Sequence, residues 1–108
     1  MSTEQNDRTP LSAEELRDKL NRETGQLDWS ELQRYFARGI VISISDERDL
    51  IEVAMKFTED DRATIEDWLA NGQLERANDN HARDWNKRRP VFWAIVVAPW
   101  VLVQEVRK

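Results

Sequence analysis

Fourteen consecutive residues without a formal charge, Pro90 to Val103, constrain this chain more than any other feature. The run reads Pro-Val-Phe-Trp-Ala-Ile-Val-Val-Ala-Pro-Trp-Val-Leu-Val and follows directly on Lys87-Arg88-Arg89. Six of its residues are β-branched and two are tryptophan, a composition that fits a buried strand. One straight strand cannot hold it. Sixteen residues from Val91 to Val106 would extend roughly 50 Å, whereas a domain of this length is roughly 34 Å across. Pro99 marks the break, because it has no N–H to give to a ladder. The expectation is a strand over Val91–Val97, an irregularity at Ala98-Pro99, and a second extended piece over Trp100–Gln104. The first piece is apolar on both sides, which predicts a central strand covered on two faces.

Cations ahead of an apolar run also resemble a membrane anchor. The run is too short for the roughly 20 residues that a helical span needs, and a proline divides it. No membrane partner is expected.

The chain has 108 residues, 40% of them hydrophobic and 34% charged, and no cysteine. That describes one globular domain, read as residues 11–108 behind a flexible polar tail over 1–10. The lack of cysteine excludes disulfides, thiolate zinc sites and cysteine nucleophiles together. Met1–Pro10 has no apolar stretch of the secretory kind, so a cytoplasmic protein is expected. The net charge of −5 is unevenly spread: residues 1–80 hold ten basic and nineteen acidic side chains, residues 81–108 six and two. The basic end is expected to dock on the acidic body, and the acidic balance argues against nucleic acid as a partner.

Ser12 with Glu15 has the spacing of a capping box, with Leu16 and Leu20 one turn apart, which predicts a helix over 13–23. Asp28 with Glu31 repeats the signal, and Trp29, Leu32, Tyr35 and Phe36 share a face, which predicts a helix over 29–38 stopped by Gly39. Ile40–Ser45 reads as a strand. Ile51, Val53, Met55 and Phe57 alternate with Glu52, Ala54 and Lys56, so 50–57 is expected to complete a hairpin; Leu50, Val53, Ala54 and Phe57 also make a helical stripe, the competing reading. Thr58 ahead of Glu59-Asp60-Asp61 predicts an N-cap for a helix over 59–71, with Ile65, Trp68 and Leu69 inward and Gly72 as its end. Leu74 is read as the apolar contact of that helix's cap. A last helix over 79–87 would bury Ala82 and Trp85 before Arg89-Pro90 forces extended backbone.

No chemical motif stands out. Glu59-Asp60-Asp61 with Asp46, Glu47 and Asp49 offers oxygen ligands for a divalent cation, yet acids at a helix start and in a loop are ordinary, and no calcium-loop pattern surrounds them. His81 is the only histidine, and no nucleophile elbow accompanies it. Gly25, Gly39 and Gly72 are isolated and cannot build a phosphate loop. Arg83, Trp85, Lys87, Arg88 and Arg89 interleave base and aromatic as single-strand binders do, but they equally suit a helix C-terminus. No catalytic residue, metal or cofactor is expected.

Lys19-Leu20-Asn21, Glu23-Thr24, Trp29 with Glu31-Leu32, Phe36-Ala37-Arg38-Gly39, Asp49-Leu50 with Glu52-Val53-Ala54, Asp60-Asp61 and Pro99-Trp100-Val101-Leu102-Val103-Gln104-Glu105 together resemble a family of small bacterial proteins of unknown function. The resemblance spans nearly the whole chain. It implies a bacterial single-domain protein and transfers no activity.

The expected fold is therefore α+β. A small, mainly antiparallel three-stranded sheet (40–45, 50–57 and 91–104, broken at Pro99) lies under four helices, with Trp93 beneath them. Such a sheet leaves an edge open, and Trp100, Val101, Leu102, Val103 and Gln104 are the candidate interaction surface for a protein partner or a second copy. A non-enzymatic interaction or assembly module is the leading expectation. The alternative is a small enzyme or ligand-binding protein with a pocket between helices and sheet, its polar groups Asn21, Glu31 and Gln104.

Overall fold

The computed structural model describes residues 11–106, so the tail expected over 1–10 lies outside the described residues. Five helices and five strands follow in the order α1 (Ala13–Glu23), β1 (Gly25–Asp28), α2 (Trp29–Ala37), β2 (Val41–Ile44), α3 (Leu50–Thr58), α4 (Arg62–Ala70), β3 (Leu74–Arg76), α5 (Asp79–Arg88), β4 (Val91–Val97) and β5 (Trp100–Glu105). The α+β class stands, but the sheet is five-stranded and mixed, in the order β1-β4-β5-β2-β3. Only β2 and β5 run parallel; the other neighbours are antiparallel.

The two capping boxes form as their spacing predicts. Ser12 accepts from the Glu15 N–H at 3.1 Å while Glu15 accepts from the Ser12 N–H at 3.0 Å. Asp28 and Glu31 repeat the exchange at 2.9 and 3.1 Å. Each box satisfies two N–H groups that a helix start leaves open.

Residues 50–57 are helix, not the second strand of a hairpin. Asp49 caps this helix through the Ile51 N–H at 3.0 Å. Leu50, Ile51, Val53, Ala54 and Met55 are all buried, because α3 lies between α1, α4 and the strands β4 and β5. A helix covered on so much of its circumference shows apolar residues at every spacing, strand alternation included. The next helix also starts later than its sequence signal. Thr58 ends α3, donating its hydroxyl to the Ala54 carbonyl at 2.9 Å, and Asp61 is the cap of α4, accepting from the Thr64 N–H at 3.2 Å and hydroxyl at 2.9 Å.

The C-terminal run folds back on itself. Val97 pairs with Trp100 across the cis Ala98-Pro99 bond, the arrangement of a type VI turn. The run thus supplies two adjacent strands in place of one broken strand. Alternation along them sorts the core onto two faces. Ile42, Ile44, Ile95 and Leu102 meet Leu16 and Leu20 of α1, the buried stripe of α3 and Trp68 of α4. Val41, Phe92, Ala94, Val101 and Val103 meet Trp29 and Leu32 of α2 and Trp85 of α5. Helices therefore cover both faces. Trp93 escapes them: opposite Gln26 and Gln104 in the sheet, it remains 40% exposed, contrary to its expected place under the helices.

Among the described residues of the basic C-terminal part, His81 lies 3.2 Å from Glu75 of the acidic body. Arg88 straps α5 to β5, reaching Asp84 at 2.8 and 2.7 Å and Glu105 at 3.0 and 2.7 Å. These hydrogen bonds hold the Glu105 and Asp84 carboxyls below the usual carboxylate range and push the guanidinium up. A carboxyl whose folded-state value is depressed stabilises the fold above its ordinary pKa, and that stability is lost as pH falls through the folded-state value. Glu105→Gln is accordingly expected to cost about 1 kcal/mol at pH 7, because the strap lies partly exposed. Its stability should also fall less than that of the parent as pH drops below about 4, measured by urea unfolding at stepped pH.

A candidate binding cleft at the β5 end of the sheet

The strand singled out for its edge has none. β5 pairs with β4 on one side and β2 on the other, and Val101, Leu102 and Val103 are buried at 2%, 0% and 0% exposure. The free edges belong to β1 and β3. Of the five, Trp100 faces the cleft described below. Gln104 is used internally, its Nε2 donating to the Ser45 and Arg48 carbonyls at 2.8 and 2.7 Å, which ties the β2–α3 loop to the sheet.

The three polar groups nominated for a pocket do not converge. Asn21 is exposed on α1, Glu31 is committed to the α2 cap, and Gln104 holds its loop. Nor do the acids assemble a cation site. Asp61 caps α4 and lies 3.7 Å from Lys56, which also approaches Glu59 at 3.7 Å; Asp60 meets Arg62 at 3.5 Å; Asp49 caps α3. Among the described residues no group of three or more such side chains is placed to hold a metal ion.

His81 completes a cap as well. Its Nδ1 accepts from the Asn78 N–H at 3.1 Å, its Nε2 lies 3.2 Å from Glu75, and its ring sits 5.1 Å from that of Trp85. Trp85 is 2% exposed, so no base can stack on it. Among the described residues no helix is long and apolar enough to cross a membrane.

What the strands and helices do assemble is a cleft of about 450 Å³ between α4 and the β4–β5 turn. Phe57, Ile65 and Leu69 wall it from the helical side, Val97 and Trp100 from the sheet. Leu69 is 42% exposed there. The parallel pairing of β2 with β5 brings Trp100 beside Arg76 of β3. Arg76 donates through Nε and Nη2 to the Gly39 carbonyl at 3.0 and 2.7 Å, and its guanidinium lies over the Trp100 ring, 5.3 Å from the centroid.

Gly39 is fitted to this arrangement. It holds φ +74°, and a Cβ there would come within 3.4 Å of Arg76 Nη2. Asp60, Arg62 and Glu66 complete the rim. Sequence reasoning picked out Trp100 for its place after the proline. It missed Arg76, whose role depends on a strand of three residues with no periodicity of its own.

Fold and cleft together define a small α+β protein with helices on both faces of a mixed sheet and an open, largely apolar cleft with Arg76 at its rim. Residues 15–105 match the family described as a protein of unknown function, DUF2288, and the chain belongs to that family. The fold is similar to the solution NMR structure of PA1075 from Pseudomonas aeruginosa, at TM-score 0.76 and 40% identity over 94% of this chain and 93% of that one. A search of curated proteins finds no match.

Proposed function

We propose that this chain is a cytoplasmic, non-enzymatic interaction module that seats an apolar group of a protein partner in the cleft between α4 and the β4–β5 turn. One observation carries the reading: Phe57, Ile65, Leu69, Val97 and Trp100 converge on a cavity of about 450 Å³ that opens to the surface. That volume falls in the range of sites that take a small ligand or an anchoring side chain. Leu69 leaves much of its apolar surface in water, where a partner can cover it.

The test is a photo-crosslinking residue placed at Leu69 or, as a control, at Leu11, which is also exposed at 48%, in cells of the source organism. A discrete adduct at position 69 and none at position 11 is expected. An adduct of twice the chain mass would assign the partner as a second copy. No adduct at 69 with the fold intact would overturn the reading.

A further inference from the structure

The geometry points to the C-terminal carboxylate of a partner chain ending in a large apolar residue as what the cleft binds; this rests on the interaction-module reading and names the chemistry of the partner. Arg76 is the reason. One edge of its guanidinium is anchored to the Gly39 carbonyl through Nε and Nη2, and its Cζ lies over the Trp100 ring, 5.3 Å from the centroid. No carboxylate of the described residues lies within ion-pair distance of it. Its remaining N–H groups, on Nη1 and Nη2, are uncommitted, and end-on pairs of this kind match the two oxygens of a carboxylate. A guanidinium already fixed in place loses little freedom on binding an anion.

The rest of the cleft narrows the ligand class. Its apolar walls require an apolar body next to the anion. On the rim, Arg62 is paired with Asp60 at 3.5 Å and Glu66 adds a negative charge. Among the described residues Arg76 thus offers the rim's one unpaired cation, and a dianion such as phosphate meets more repulsion there than a single carboxylate. The exposed Ala98 and Pro99 form the lip, leaving a side open through which the preceding residues of a peptide can leave. A terminal carboxylate on Arg76 with its side chain between Leu69 and Trp100 meets all three conditions.

The test is a ¹H–¹⁵N NMR titration of the full chain with acetyl-Ala-Ala-Leu carrying a free or an amidated C terminus, following the Trp100 indole and Arg76 Nε–H signals. Weak binding that shifts both signals is expected from the free acid. Amidation should weaken it roughly tenfold to a hundredfold, the cost of a charge-assisted hydrogen bond. Arg76→Gln, judged folded by an otherwise unchanged spectrum, should bind both peptides equally and as weakly as the parent binds the amide.

Equal affinity of the parent for both peptides would overturn the carboxylate assignment while leaving the cleft reading in place. If 4-methylpentanoate bound as tightly as the peptide, the ligand would be a small free carboxylate and the peptide assignment would fall. If neither peptide moved the cleft signals while the Leu69 crosslink persisted, the partner's chemistry would be wrong and the module reading would survive. Loss of both would remove the module reading as well.

Discussion

Trp85→Ala is expected to cost about 3–5 kcal/mol, the range for deleting a large aromatic from a packed core, and to lower Tm by roughly 15–25 °C in a domain of this size. Trp85 is the point at which the α2 and α5 layer is fastened to the sheet. Its ring meets Trp29 at 5.6 Å and Phe92 at 4.9 Å in edge-on arrangements, and His81 covers it at 5.1 Å. Alanine therefore removes a contact with α2, a contact with β4 and the surface on which the His81 cap rests. Trp85→Phe keeps part of all three and should cost less than half as much. Urea unfolding at pH 7 measures both, and a loss under about 1 kcal/mol for the alanine variant would show that the layer is fastened elsewhere.

The sequence announced this layer because its signals are local. Asp28 with Glu31 marks the start of α2, Trp29 and Leu32 define its inner stripe, and Trp85 is the one large apolar residue of a polar helix. In the tail the break at Pro99 was legible, since a run longer than the domain cannot stay one straight strand, but the pairing of its two pieces with each other was not.

Other elements left weaker traces. The helix α3 satisfied two periods at once, and only Asp49, a cap followed by buried residues on most sides, pointed to helix. The strands β1 and β3 have four and three residues, with Leu27 half-buried in the one and Leu74 buried in the other; pairing with β4 and β2 makes them strands. With the tail read as one broken strand, its far end kept an open edge. Its folding back into β4 and β5, with β2 on the other side of β5, puts β5 in the interior, leaves the edges to β1 and β3, and transfers attention from the strand's backbone to one side chain, Trp100. The cleft itself draws on residues from Ile42 to Trp100, brought together by a parallel pairing that no local pattern encodes.

Leu102→Ala probes the opposite layer and is expected to cost about 3–4 kcal/mol. Leu102 is fully buried in the interior strand, beside Ile95 of β4 and Ile42 of β2, and packs in the cluster that α1, α3 and α4 close. Trp85 belongs to the other cluster, across the sheet. Since the two share no packing neighbour within a cluster, their costs should add to within about 0.5 kcal/mol. Together they approach the whole stability of a typical domain, about 5–15 kcal/mol. Each single variant should thus unfold in one cooperative urea transition, and the double variant should be largely unfolded without denaturant. A double variant much more stable than that sum would mean that the sheet transmits the loss on one face into relaxation on the other. In that case Val101, Leu102 and Val103, which alternate between the clusters along β5, would be parts of one core in place of walls between two.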